Sequence, residues 1–291
     1  MRALKITNML FLTFVSLTVL FQGSARAGDS NRSFSLRLYG GWNYVLGGDF
    51  NDGLKGINDY YAKYFWYFGL TKSGGGYNPV HQGMNFGGDF VIQITPAVGI
   101  GLGAGYLQGK RESSITFTPV AAAETTTAEV SAVPLRLGLY LTFPAKAIVR
   151  FNIHAGLGYY LAKVSFNFRS SAPGSWGQKS VKADANGLGY HGGIGLELKF
   201  TSAVSFFLEG QARYARIGGF KGTGENSDSS GHYSSDSGKL YYYQTYSTAL
   251  GAFPAIFVHS AAPSGSSVGN VKEAEIDFGG YSAVAGLIFR F

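Results

Sequence analysis

VPLRLGLYLTF, residues 133–143, sets Val133, Leu135, Leu137, Leu139 and Leu141 on one face and Arg136, Gly138 and Tyr140 on the other. Side chains of an extended chain alternate between two faces, so this is a strand with period two. In a soluble sheet the arginine face would be the wet one; in a strand lying in lipid the aliphatic face points outward and the arginine points inward.

The same alternation recurs along the chain. From residue 33, Phe34, Leu36 and Leu38 oppose Ser35, Arg37 and Tyr39. Phe86, Phe90, Ile92 and Ile94 oppose Asn85, Asp89 and Gln93, and after Thr95-Pro96 the run AVGIGLGAGYL opposes Val98, Ile100, Leu102 and Tyr106 to four glycines. Phe151, Ile153 and Leu157 oppose Arg150, Asn152 and His154; Ile194, Leu196 and Leu198 oppose His191, Glu197 and Lys199; Val204, Phe206 and Leu208 oppose Glu209, Gln211 and Arg213. With the closing segment, IDFGGYSAVAGLIFRF, there are eight. Connections alternate between short, near 95–97, 143–147 and 200–203, and long, at about 48–81, 109–128, 170–184 and 218–273. Antiparallel strands return every second turn to the same side, so this rhythm predicts an all-β, up-and-down, transmembrane antiparallel β-barrel of eight strands, with ten as the alternative. The ten-strand alternative takes 240–249 and 253–260 as two further crossings; Pro254, Gln244, Thr245 and Ser247 favour a hairpin outside the membrane instead.

Composition agrees with a surface that does not face water. Of 291 residues, 15% are aromatic, 43 are Gly and only 14% are charged, against roughly 25% charged in an ordinary soluble domain. Arg2 and Lys5 precede an apolar run from Met9 to Phe21 and the small-residue site Ala25-Arg26-Ala27, which reads as a signal peptide over 1–27 and leaves 28–291 as the barrel domain. The chain contains no Cys, which excludes a disulfide framework. Without Arg2, Lys5 and Arg26 the 24 basic residues become 21 against 17 acidic ones, a balance that points to no nucleic acid.

On the inward faces, Arg37, Asp89, Arg136, Arg150, Glu197, Lys199, Glu209, Arg213 and Arg290 mix both signs. An eight-stranded barrel is just wide enough for side chains to fill, so these charges are expected to pair into a structural network rather than line a solute path. A narrow channel for small or apolar solutes is the alternative.

The alternating last strand ends in Phe, with Tyr281, Leu287, Phe289 and Phe291 on one face. This arrangement resembles the small outer-membrane barrels of the OmpA, OmpX and OmpW type. The resemblance implies a bacterial outer-membrane location, contact with outer-membrane lipid and lipopolysaccharide, and recognition of those four residues by the barrel-assembly machinery. It names no single function, since that fold hosts tethers, adhesins, channels and lipid-modifying enzymes.

The long segments are where contacts with a surface partner are expected. In the first, Asn51-Asp52 read as the cap of a helix from about 53 to 68, which carries Tyr60, Tyr61, Tyr64, Phe65, Trp66 and Tyr67 as a contact surface. The first half of the last has the Ser, Gly and Asp composition of a mobile loop. Catalytic signals are thin: five His, no metal-ligand spacing and no nucleophile elbow. His232 and Ser234 in GHYSS resemble the His and Ser of lipid A deacylases, but stand in a Ser-rich loop; His154 and His191 fall on the inward faces of neighbouring strands. The expectation is a non-enzymatic protein with no cofactor and no metal, acting through its surface segments.

Overall fold

The computed structural model describes residues 34–144 and 148–291. The expected leader at 1–27 and the turn at 145–147 lie outside them. The chain runs β1 (Phe34–Val45), α1 (Asp49–Tyr67), β2 (Thr71–Gly76), β3 (Gln82–Gln93) and β4 (Val98–Thr118). It continues through β5 (Ala122–Pro144), β6 (Val149–Ala172), β7 (Ser175–Lys199), β8 (Val204–Tyr214), β9 (Arg216–Ile217) and β10 (Lys221–Asp228). β11 (Tyr233–Ser247), β12 (Gly251–His259), β13 (Val268–Glu273), β14 (Ile276–Asp277) and β15 (Gly280–Arg290) complete it.

Eight of these strands pair in a closed antiparallel ring: β1 with β3, then β4, β5, β6, β7, β8 and β15, which returns to β1. Closure leaves the ring no unpaired edge. Its register sets Asp89 beside Gly103 and Gly103 beside Arg136. The glycine leaves room for the Asp89–Arg136 pair, because a Cβ on Gly103 would stand 1.9 Å from Asp89 Oδ1 and displace that carboxylate.

Three of the segments read as loops, 109–128, 170–184 and 218–273, are mostly sheet, and this corrects the sequence reading. β4 to β7 are 21 to 25 residues long and run straight through 109–128 and 170–184, with only the turns at 119–121 and 173–174 between them. Past the ring, β4 takes β2 as its partner and β7 exchanges β8 for β10. β10 pairs with β11 and β11 with β12, so a second sheet, β2-β4-β5-β6-β7-β10-β11-β12, shares its middle strands with the ring and is open between β2 and β12. The Ser and Gly stretch at 221–228 is thus an ordered strand held by its backbone ladder on both sides, and β11 and β12 form a hairpin outside the ring rather than a ninth and tenth member of it.

α1 lies within this second sheet. Gly47 and Gly48, at φ 83° and 56°, turn the chain from β1 into the helix, which begins at Asp49 rather than near 53. Asn51 is not its cap; the side chain instead accepts from Val80 N–H at 2.9 Å and donates to Val80 O at 3.2 Å, completing the backbone bonding of a neighbouring segment. Asp49 and Asp52 in the first turn suit the positive end of the helix. Phe50, Leu54 and Ile57 share one face and are buried with Val130, Val164, Phe166, Phe168 and Val181. Each such burial contributes about 1.5–3 kcal/mol. The neighbouring face meets β12 so closely that a Cβ on Gly56 would come within 2.0 Å of Pro254 O.

The polarity of the long strands inverts along their length. On β5 the outward side chains Leu135, Leu137 and Leu139 are exposed while Arg136 and Tyr140 point inward and are buried. Farther along the same strand the outward side chains are Thr125, Thr127, Glu129 and Ser131, and the buried ones are Ala128, Val130 and Ala132. β6 repeats the exchange, with Leu157, Tyr159 and Leu161 outward before Lys163, Ser165 and Asn167, and Val164, Phe166 and Phe168 inside. The ring end is apolar outside and charged inside; the far end has the ordinary polarity of a domain in water.

Candidate functional site

The ring interior brings together most of the charged residues expected there. Arg37 Nη2 lies 2.6 Å from Glu209 Oε2, and His154 Nε2 lies 3.0 Å from the other oxygen of the same carboxylate. Arg136 Nη2 bonds Asp89 Oδ1 at 2.8 Å. Nearer the short-turn end, Arg290 Nη2 donates to both oxygens of Glu197 at 2.7 Å, with Arg150 Nη1 at 3.8 Å. The Arg37 guanidinium also sits 4.4 Å from the centre of the Phe207 ring, and that of Arg136 5.3 Å from Tyr39. Arg213 pairs with no carboxylate among the described residues; it donates to Phe278 O, Tyr44 O and Ser282 Oγ at 2.8 Å each, and to Asn43 Oδ1. Lys199 is half-buried on the inward face and makes no ion pair among the described residues.

Apart from Arg150–Glu197, which joins register partners on adjacent β6 and β7, each of these ion pairs reaches across an intervening strand, so together they tie the ring's walls across its interior. A buried pair of this kind contributes little beyond its desolvation cost, but losing one member strands the other and costs about 3–5 kcal/mol. A void beside Asn85, Arg136, His154, His191 and Arg213 measures about 20 Å³, enough for about one water. Tyr39, Tyr140, Gln211 and His154 belong to the same filling. Sequence periodicity places them inward but cannot say which carboxylate each one meets.

The two inward histidines do approach, with ring centres 5.6 Å apart. No group of three metal-binding side chains exists among the described residues. His232 is exposed and its ring lies 3.4 Å from Asp228, while Ser234 accepts from Asn226 Nδ2 at 3.4 Å; no contact joins this His to this Ser among the described residues.

On the closing strand, Tyr281 stacks on Tyr44 at 4.9 Å, Leu287 and Phe291 are exposed, and Phe289 is half-buried. The chain end is paired, since Phe291 N–H donates to Phe34 O at 2.9 Å.

The aromatic set on α1 divides. Tyr64, Trp66 and Tyr67 are exposed, Phe65 is buried against Phe117 at 4.8 Å, and Tyr60 and Tyr61 turn toward the β11–β12 hairpin. Between them and the hairpin is a cleft of about 570 Å³. Tyr60 packs edge-on against Phe253 at 5.7 Å, and Tyr61 against Phe168 at 4.6 Å. Burial pushes the Tyr61 hydroxyl up to about 12, so it stays protonated and can donate a hydrogen bond throughout the neutral range. Lys179, Asn226, Asp236, Tyr243 and His259 join this cleft from β7, β10, β11 and β12. None of them is in the expected site, because reading 170–184 and 218–273 as loops left their strands unplaced; the alternation over 240–249 and 253–260 is the available signal.

No protein-family model matches the chain and no curated protein matches it in sequence, so the functional reading rests on this geometry.

Proposed function

We propose that the chain is an integral outer-membrane β-barrel of eight strands, non-enzymatic and sealed, that anchors a folded head on the outer surface for contact with a partner there. The observation that carries this reading is the inversion of polarity along β4 to β7. A ring that exposes Leu102, Leu137, Leu157 and Leu196 while burying Arg37, Asp89, Arg136 and Glu209 is at odds with water and suited to hydrocarbon. The height fits as well: Leu135 to Phe143 spans nine residues of β5, close to the roughly 9–11 that a tilted strand needs to cross.

Aromatic side chains stand at both edges of this band. Trp42, Tyr106, Tyr159, Tyr190, Tyr214 and Tyr281 are exposed where the polarity changes, and Phe34, Phe143, Phe200 and Phe291 are exposed at the short-turn end. Tyr and Trp favour the membrane boundary because one end of the side chain is apolar and the other takes hydrogen bonds. The long strands then carry the second sheet and α1 out on one side. The OmpA, OmpX and OmpW-like assignment and the handling of the last strand by the assembly machinery belong to the same proposal.

The filled interior favours an anchor over a channel. Purified protein in planar bilayers is expected to give no reproducible single-channel steps, whereas Glu209→Ala, which removes the carboxylate shared by Arg37 and His154, is expected to give them or to lower stability by about 3–5 kcal/mol. Regular steps from the unaltered protein would establish the channel reading instead.

A further inference from the structure

The cleft between α1 and the β11–β12 hairpin has the size and the lining of a small-molecule site. Its volume of about 570 Å³ falls inside the roughly 300–1,000 Å³ of ordinary ligand pockets. The walls are Ile57, Tyr60 and Tyr61 from the helix and Tyr243, Phe253 and Phe257 from the hairpin. β12 is pressed across β10 to form it, because Gly224 on β10 has no side chain: a Cβ there would meet the Phe257 ring at 2.7 Å.

The polar groups are concentrated at one end. Lys179 and Asn226 are directly paired across β7 and β10, so their side chains stand together on one face of the sheet. Lys179 has no carboxylate partner among the described residues, and its ammonium lies 5.9 Å from the centre of the Tyr61 ring. Asn226 Nδ2 donates to Ser234 Oγ at 3.4 Å, and its Oδ1 is a buried acceptor with no hydrogen-bond partner among the described residues. The other charged group, Asp236, is already engaged: it accepts from Ser260 N–H at 3.1 Å and Ser237 N–H at 2.9 Å, and lies 3.8 Å from His259 Nδ1. His259 in turn lies 3.3 Å from the Tyr243 hydroxyl.

We propose that this cleft binds an amphipathic organic monoanion, its carboxylate held by the Lys179 ammonium and its apolar body lying between Tyr60 and Tyr61 on one side and Phe253 and Phe257 on the other. The uncompensated ammonium calls for an anion, since a cation removed from bulk water without a partner is costly. Burial draws the Lys179 ammonium below its ordinary range, in the direction that a bound carboxylate would reverse. Asp236, which lines the same cleft, disfavours a second negative charge there. The flat rings favour a planar or chain-like apolar body over a polyol. This inference depends on the head being folded and not on the ring lying in a membrane.

The test uses the full chain, folded in detergent and separately in lipid nanodiscs, with 2-naphthoate, its uncharged analogue 2-naphthamide, the dianion naphthalene-2,6-dicarboxylate, and decanoate as probes, titrated by calorimetry. Naphthoate or decanoate is expected to saturate one site, and which of the two binds more tightly tells an aromatic source from an aliphatic one. The amide and the dianion are expected to bind about tenfold more weakly or worse, the scale of one charge-assisted hydrogen bond. Lys179→Gln should abolish the preference of naphthoate over naphthamide, and Phe253→Ala should weaken both probes alike. Retention of the fast-migrating folded band on unheated gels separates loss of binding from loss of fold. Equal affinity for naphthoate and naphthamide, unchanged naphthoate binding in folded Lys179→Gln, or no saturation by either carboxylate in the folded protein would overturn the proposal. Any of these results would leave the membrane reading standing.

Discussion

Glu124 shows what a single residue contributes in the head. It sits on the inward face of β5 with no exposed surface, and neither carboxylate oxygen has a hydrogen-bond partner among the described residues. Burial, with Asp59 on α1 adding to it and Lys72 on β2 opposing, pushes its carboxyl up to about 8 from an ordinary value of 4.5. The folded head therefore holds this proton across the range in which the unfolded chain has lost it. With the folded value raised, the contribution of the protonated group is full below about 4.5, declines as pH rises toward 8, and changes no further above that. The limiting slope is about 1.4 kcal/mol per pH unit. Hydrogen exchange of the α1 amides, corrected for intrinsic rates, should show protection falling between pH 5 and pH 8 in the native chain and much less in Glu124→Gln. Parallel profiles for the two proteins would mean that Glu124 is solvated and not buried against the helix.

At the scale of the element, α1 illustrates how tertiary contact overrides local propensity. Gly53 and Gly56 each cost about 1 kcal/mol relative to Ala in an isolated helix. They stand here because β12 passes where side chains would be, with Pro254 O within 2.0 Å of a Cβ on Gly56. Gly56→Ala should thus loosen the head despite raising helix propensity. Limited proteolysis is expected to cut within 218–273 at least several-fold faster, while the unheated gel mobility set by the ring is unchanged. An unaltered cleavage rate would show that β12 gives way at little cost.

The same elements explain what was legible in the sequence. The ring halves of β4 to β8 read directly, since Leu against Arg or Gly at period two is a strong contrast and each inward charge lands where the alternation puts it. The far halves do not: in 122–132, Thr and Ser alternate with Ala, Val and Glu, a contrast too weak to separate a strand from a polar loop. β10 carries even less signal, because its place is held by main-chain bonds to β7 and β11 that any small polar sequence could make. The cleft was not legible at all. It is assembled from residues 57–61, 179, 226 and 253–259, which only the fold brings together.

For the whole molecule, two sheets that share four strands divide the work. The ring is closed, tied across its interior by Arg37–Glu209, Arg136–Asp89 and Arg290–Glu197, and exposes apolar side chains; the second sheet is open-edged and filled by α1 and an ordinary apolar core. The proposed membrane boundary lies where one becomes the other, near Val133 on β5. That boundary can be located directly by placing single Cys labels at Thr127, Ser131, Leu135, Leu137 and Leu139, all on the outward face of one strand, and measuring quenching by lipid-borne spin labels in reconstituted vesicles. The account predicts strong quenching at 135, 137 and 139, falling away at 131 and absent at 127, with water-soluble quenchers giving the reverse order. Equal access of water-soluble quencher along all five positions would contradict the membrane reading and leave the ring as part of a soluble protein.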